Sequence, residues 1–313
     1  MGKVKAKKKF AGTTVRNNPT NLCIVTEEEV ETGGEDVWER IALQLQSVSS
    51  EERECGCASL AVIGKRKNNA DTIIQKRLLR IVAPLVVDTN LSVQHAAVGA
   101  LRNISLADHD ICDQMVDQDV FTPLTKLLLK YYSMEWSRAE PSKAAKSSGR
   151  IDSNTEIFIE AVNLLWNLCE ANESAVQKCF NQDLLPVLMK HMTVEKYGYQ
   201  VVSSVLQCLY TLAEDCKEPF LSQFKAYDHI LNSLVVKPAE KAEDLHIKLL
   251  AIGIAYNLTE ARKESIEPLL SGMMNAVSAV LEQDQRKLLN DYTSSIPMEG
   301  NEEQMMEDEG PPR

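Results

Sequence analysis

Ala97-Val98-Gly99-Ala100-Leu101-Arg102-Asn103-Ile104 returns later in the chain as Ala161-Val162-Asn163-Leu164-Leu165-Trp166-Asn167-Leu168. Self-similarity at a fixed spacing is the signature of a repeat architecture, so this phrase decides the fold class before any local propensity is weighed. Weaker copies keep the same pattern: Ser204-Val205-Leu206-Gln207-Cys208-Leu209-Tyr210-Thr211-Leu212, Ala251-Ile252-Gly253-Ile254-Ala255-Tyr256-Asn257-Leu258, and an earlier member, Cys57-Ala58-Ser59-Leu60-Ala61-Val62-Ile63. With Leu60, Leu101, Leu165, Leu209 and Ala255 aligned, the steps are 41, 64, 44 and 46 residues. The long step contains a run of Ser, Ala, Lys, Glu and Gly with one Pro between Ser133 and Asn154, which reads as an inserted surface loop. Without about twenty inserted residues the period is regular, in the low forties.

A period of that length with two or three helices per unit is the armadillo and HEAT pattern, in which a repeat buries its apolar face only when neighbours stack on it. The chain is therefore read as an all-α solenoid over residues 37–290, with the inserted loop near 133–154. Ser49-Ser50-Glu51-Glu52 has capping-box spacing, and Asn90-Leu91-Ser92 offers a second helix start. After each anchor helix come a polar turn (106–110, 170–173, 214–218) and a further apolar segment such as 120–129 or 184–192. Residues 1–36 and 291–313 lack the helical period and are read as flexible tails of opposite charge.

Composition agrees: 44% hydrophobic and 25% charged residues suit a folded chain with a sizeable core, and the low aromatic content of 5% favours helix over sheet. A net charge of -11 disfavours binding to nucleic acid and favours cationic proteins as partners. No window of eighteen apolar residues and no apolar stretch after the first lysines is present, so neither a membrane span nor a secretory signal is read, and the expected location is cytoplasm and nucleus. The eight cysteines fall mostly inside apolar helical patterns without a C-x-x-C pair and are read as reduced core residues. Three N-x-S/T matches, beginning at Asn103, Asn172 and Asn257, are then chance occurrences.

No positioned nucleophile and base, metal-ligand cluster or phosphate-cradling loop emerges, so no catalytic residue, metal or cofactor is assigned and the chain is not read as an enzyme. His95, His109, His191, His229 and His246 are scattered, and Gly33-Gly34 precedes acids rather than Lys-Ser. Candidate binding residues are those of the anchor helix turned from the core: Asn103, Asn167 and Asn257, two positions past the aligned core residue and about 200° around the helix. Their amides can hold an extended peptide backbone, as a ladder along the groove, or a carbonyl of the adjacent repeat, and both roles stay open. Thr211 interrupts the series. Trp166, Tyr210 and Tyr256 precede these positions; packing between repeats is favoured for Trp166, while the tyrosines can either pack or flank the groove.

The segment Arg53-Glu54-Cys55-Gly56-Cys57-Ala58-Ser59-Leu60-Ala61, with Gly99 to Ser105, Ile111-Cys112-Asp113-Gln114-Met115-Val116, Phe121-Thr122-Pro123-Leu124, Leu164 to Glu170 and the opening Met1-Gly2-Lys3, resembles the symportin family, that of HEAT repeat-containing protein 3. The likeness runs to about residue 290, covers the armadillo part, and is densest between residues 50 and 170. It implies a non-enzymatic chaperone and import adaptor that binds the two basic large-subunit ribosomal proteins associated with 5S RNA and escorts them to the nucleus. In the family a transportin-type importin reads an amino-terminal basic stretch followed by Arg-x(2-5)-Pro-Tyr. Lys3, Lys5, Lys7, Lys8 and Lys9 with Arg16 and Pro19 occupy these places here, and Thr20 stands where the tyrosine would be. Family members carry an acidic cargo-holding segment before a HEAT half; Glu299, Glu302, Glu303, Glu307, Asp308 and Glu309 fall where it would begin, and this sequence ends at Arg313. The expected chain is a monomer without direct nucleic-acid or membrane contacts. The alternative is a generic armadillo scaffold in a cytosolic complex.

Overall fold

The computed structural model describes residues 24–136, 153–214, 220–237 and 242–262, with three single positions further on; among them all regular structure is helical. In chain order the helices are α1 (Glu27–Leu45), α2 (Ser50–Ile63), α3 (Lys67–Gln75), α4 (Leu78–Val82, running into a 3-10 turn at Ala83–Val87), α5 (Leu91–Ser105), α6 (His109–Asp117) and α7 (Phe121–Ser133). There follow α8 (Ser153–Ala171), α9 (Glu173–Asn181), α10 (Leu184–Lys190), α11 (Val194–Tyr197), α12 (Tyr199–Glu214), α13 (Phe220–Lys225), α14 (Asp228–Val236) and α15 (Ala242–Arg262). The repeated phrase lies on α2, α5, α8, α12 and α15. These pack in sequence, each on the next, and α1 packs on α2. The anchor helices α2, α5, α8 and α12 are each followed by two shorter helices, as in α5–α6–α7 and α8–α9–α10, so the unit has three helices.

Local chemistry explains why each unit restarts. Ser49 accepts the Glu52 N–H at 3.4 Å, and the Asn90 side-chain oxygen accepts from Ser92 and Val93 at 2.9 and 3.3 Å. Asn172, a chance glycosylation match by sequence, caps α9 by accepting the Ala175 N–H at 3.0 Å. These side chains satisfy amide groups that a helix start leaves without intrahelical partners. Between the two shorter helices of successive units stand Arg77, Asp119 and Asp183, all left-handed with φ of 55°, 60° and 55°. They recur at nearly the same steps as the anchor residues, so a turn costly for any non-glycine residue is part of the repeat.

The core is continuous along the stack. Leu60, Leu101, Leu165 and Leu209 are fully buried and Ala255 is nearly so. From α2 to α12 each anchor helix buries apolar residues against the helices on either side of it, at about 1.5–3 kcal/mol per large side chain. The insertion expected near 133–154 falls between α7 and α8, and residues 137–152 are outside the described residues.

The folded part begins earlier than the sequence reading placed it. Residues 27–36 read as part of the amino-terminal tail, since they lack the helical apolar period and concentrate charge, yet α1 starts at Glu27. Thr26 accepts from Glu29 N–H at 3.3 Å while the Glu29 carboxylate accepts from Thr26 N–H at 3.0 Å. Acids in a first turn face the positive helix end, so the composition that argued against helix supports it here. Buried Val25 donates its N–H to Ser59 Oγ at 2.9 Å, tying the start of α1 to α2. Gly34, at φ 54° and ψ -136°, breaks α1 into two helical pieces. Further along, Lys76 pairs with Glu35, and Arg66 with Glu27 and Glu31.

Candidate functional site

The face shared by the anchor helices is where binding residues were expected, and the structure divides those residues into two groups. Asn103 is buried, and its amide donates to the Ala61 carbonyl of the preceding repeat at 2.8 Å. Asn167 donates to Ser105 Oγ, also in the preceding repeat, at 2.8 Å, and Ser105 Oγ donates in turn to the Arg102 carbonyl at 2.7 Å. For these two, the donor that a groove peptide would need is used between repeats, which corrects the peptide-ladder reading. The reason is geometric: an amide two positions past the core residue reaches backward to the neighbouring helix before it reaches solvent. Asn257 is half-buried, and its amide nitrogen meets no acceptor among the described residues.

Thr211 takes the asparagine position in its repeat and accepts a hydrogen bond from Trp166 Nε1 at 2.9 Å. Trp166 therefore packs between repeats, as expected, leaning forward onto α12. Tyr210 leans forward likewise: a Cβ built on Gly253 of α15 would lie 2.7 Å from its ring. Tyr210 and Tyr256 remain 37% and 36% exposed, so the tyrosines face outward along the same row.

Four residues after each aromatic stands an exposed carboxylate: Glu170 after Trp166, Glu214 after Tyr210 and Glu260 after Tyr256. An i,i+4 pair lies on one helix face, so these acids form a second row beside the aromatics. The sequence reading took Glu170 and Glu214 for the start of polar turns. Their common spacing from the aromatics was the signal that could have identified them. In the repeat before, the aromatic's place is taken by Arg102, which pairs with Glu160 of α8 at 3.4 Å with side chains only 5% and 11% exposed.

Beside the inserted loop lies a second polar centre, buried and structural. His191 Nδ1–H donates to the Val187 carbonyl at 2.7 Å, and its Nε2 accepts from Trp136 Nε1 at 3.1 Å. Tyr131, Phe158 and Tyr197 surround the pair, with ring centroids 4.3–5.5 Å apart. Burial pushes the His191 pKa down to about 4, because the interior disfavours the imidazolium.

Cys57, Cys112, Cys169, Cys179 and Cys208 are free and buried. Burial raises the Cys112 thiol to about 12, and Cys57 and Cys208 are raised for the same reason; Cys169 is raised first by a hydrogen bond to Cys179. Cys55 corrects the reading of all eight as reduced, since it is disulfide-bonded. Pairing depends on which residues meet in space, which spacing along the chain did not convey. Among the described residues no group of three or more His, Cys, Asp or Glu side chains is placed to hold a metal, and no helix is long and apolar enough to cross a membrane. The basic residues Lys3 to Lys9 with Arg16, Pro19 and Thr20, and the acids Glu299 to Glu309, lie outside the described residues.

No family model matches the chain. It is 31% identical over 258 residues to HEAT repeat-containing protein 3 of Homo sapiens, a match covering 81% of this chain and 38% of that protein. With the Mus musculus protein of the same name it shares 31% identity over 241 residues, 76% of this chain and 35% of the relative. The chain thus spans little more than a third of these relatives. Among solved structures it resembles a computationally designed armadillo repeat protein for modular peptide recognition, with a TM-score of 0.55 and 19% identity over 77% of this chain and 97% of that one. It also resembles a designed armadillo repeat protein in complex with the peptide (KR)4, with a TM-score of 0.56 and 16% identity over 76% and 88% of the two chains. At these identities the likeness establishes the armadillo fold.

Proposed function

The chain belongs to the HEAT repeat-containing protein 3 family over the part it shares with those relatives, and from that premise we propose that this repeat scaffold is a non-enzymatic chaperone and import adaptor. Its cargo in this reading is a basic large-subunit ribosomal protein of the pair that binds 5S RNA, held in the cytoplasm and escorted to the nucleus. Sequence kinship over 258 residues is the observation that carries the proposal. Physical chemistry supports it. A ribosomal protein without its RNA presents uncompensated cations, and a scaffold of net charge -11 can cover them. A stack of repeats supplies the long continuous face such cargo needs. The acids from Glu299 to Glu309 would extend that cover, and Lys3 to Lys9 with Arg16 and Pro19 would meet a transportin-type importin.

The test mixes the purified chain with each of the two ribosomal proteins at physiological salt, without RNA, and follows both by size-exclusion chromatography. A stoichiometric complex that survives moderate salt and weakens on removal of Met298 to Gly310 is the expected result. Absence of a complex with either protein favours the generic scaffold. Deleting Met1 to Thr20 separately tests the import contact: nuclear accumulation should fall, and unchanged accumulation removes the importin from the proposal.

A further inference from the structure

We infer that the first piece of α1, Glu27 to Gly33, is a redox-released arm, hinged at Gly34 and clasped to α2 by a disulfide between Cys55 and Cys23. The inference goes beyond the proposed function and does not rest on it.

The partner of Cys55 follows by elimination. Of the eight cysteines, Cys57, Cys112, Cys169, Cys179 and Cys208 are free, so the disulfide of Cys55 goes to Cys23 or Cys216, both outside the described residues. Cys216 follows α12, which α5 and α8 separate from α2. Three helix spacings of about 8–10 Å each far exceed the span of about 7 Å that a disulfide bridges between Cα atoms. Cys23 stands two residues before Val25, whose N–H donates to Ser59 Oγ at 2.9 Å, and Ser59 Oγ donates to the Cys55 carbonyl at 2.8 Å, one turn back along α2. Two residues of extended chain cover about 7 Å and one helical turn rises about 5.4 Å, so the chain leading into Val25 reaches Cys55.

The contacts of α1 divide at Gly34. Beyond it the helix is seated in the core by Val37, Trp38, Ile41 and Leu45. Before it none of residues 27–33 is buried, and they are held by half-buried Val30 and by surface ion pairs, Glu29 with Arg40 at 3.2 Å and Glu27 and Glu31 with Arg66. Exposed pairs of that kind contribute little, which leaves Val25 and the disulfide as the clasp. Gly34, at φ 54°, can change its backbone angles without a side chain to obstruct it, as a hinge must. Cys55 is 8% exposed, whereas Cys57, two positions on, is fully buried with its thiol pKa raised, so the bond exchanges with an outside thiol rather than with its neighbour. Opening takes two electrons and two protons. Two molecules of a soluble thiol such as glutathione supply them: the Cys23–Cys55 bond breaks, both cysteines become thiols, and glutathione leaves as its own disulfide. The arm then swings about Gly34 and uncovers the flank of α2 at Cys55 and Ser59.

The experiment treats the full chain with oxidised glutathione or with excess reduced glutathione, and reads hydrogen exchange by mass spectrometry beside a non-reducing peptide map. The oxidised chain should yield a cross-linked peptide pair holding Cys23 and Cys55, lost in reduced glutathione. Amides of residues 27–33 should then exchange about tenfold faster, while those of residues 37–45 and of α5 keep their rates. Cys55→Ser and Cys23→Ser should each exchange at the fast rate under both conditions. Cys216→Ser should keep the cross-link and respond as wild type does. A cross-link to Cys216, or Cys55 alkylated as a thiol in the oxidised chain, would overturn the pairing. Equal exchange in the two states would overturn the arm. Acceleration running through the whole of α1 would make the disulfide a staple of the repeat and overturn the hinge at Gly34. A cross-link that resists reduced glutathione in the folded chain would overturn the switch.

Discussion

At the scale of single residues, two glycines at equivalent repeat positions make opposite demands. A Cβ on Gly99 of α5 would meet nothing within 4 Å among the described residues, whereas on Gly253 of α15 it would meet the Tyr210 ring at 2.7 Å. Gly99→Ala should therefore stabilise the chain by about 0.5–1 kcal/mol through helix propensity alone, read as a raised urea midpoint. Gly253→Ala should show no such gain and should alter the near-ultraviolet signal of the displaced tyrosine. His191 gives a prediction in pH. Its folded pKa, about 4, lies below the ordinary 6.5, so the unfolded chain binds the extra proton first as pH falls. Stability from this group is complete above pH 6.5 and drains away between there and pH 4, by roughly 3 kcal/mol in all. Chemical denaturation of wild type at pH 7 and pH 4.5 should show that loss. His191→Phe should show a smaller one, while being about 1–2 kcal/mol weaker at pH 7 because Trp136 Nε1 loses its acceptor. None of this was legible from a histidine in an apolar stretch. The sequence assigned His191 no metal role, but the Trp136 partner, 55 residues away along the chain, is supplied by folding.

Between helices, the Arg102–Glu160 pair decides how α5 meets α8. Both side chains are almost wholly buried, so removing one partner takes a counter-charge from a buried ion. Glu160→Ala should cost about 3–5 kcal/mol, and combining Arg102→Met with Glu160→Leu should recover most of it, as a double-mutant cycle in guanidinium would record. Helix existence was readable here from period and caps, since Asn90, Ser49 and the apolar spacing act locally. Helix α1 was not, because its glutamates and paired glycines argue against helix in isolation. Its support comes from Ser59 accepting the Val25 N–H and from the cations that flank α3, Arg66 before it and Lys76 after it. Asn103 and Asn167 teach the same lesson: their place off the core row of the helix was legible, and the choice between a groove and a neighbouring repeat, against which Asn103 is buried, was not.

Across the whole molecule, stability should be a sum of repeats and nearest-neighbour contacts, because each anchor helix packs on the ones beside it. Ile63→Val in α2 and Ile254→Val in α15, both at fully buried positions, should each cost about 0.5–1.5 kcal/mol, and together the sum to within about 0.5 kcal/mol, measured by urea denaturation. A marked excess in the double variant would mean that the stack transmits strain over several repeats. The sequence by itself determined the repeat, its period, the acidic balance and the inward set from Leu60 to Ala255, because periodicity and composition are properties of the chain read along its length. Tertiary structure alone decided that Asn103 and Asn167 bind the preceding repeat, that Arg102 is buried against Glu160 and that Trp136 closes on His191. It also decided that Glu170, Glu214 and Glu260 stand as a row beside the aromatics. Those facts depend on which side chains from different repeats come within hydrogen-bonding or packing distance, and stacking fixes that only after the helices have formed.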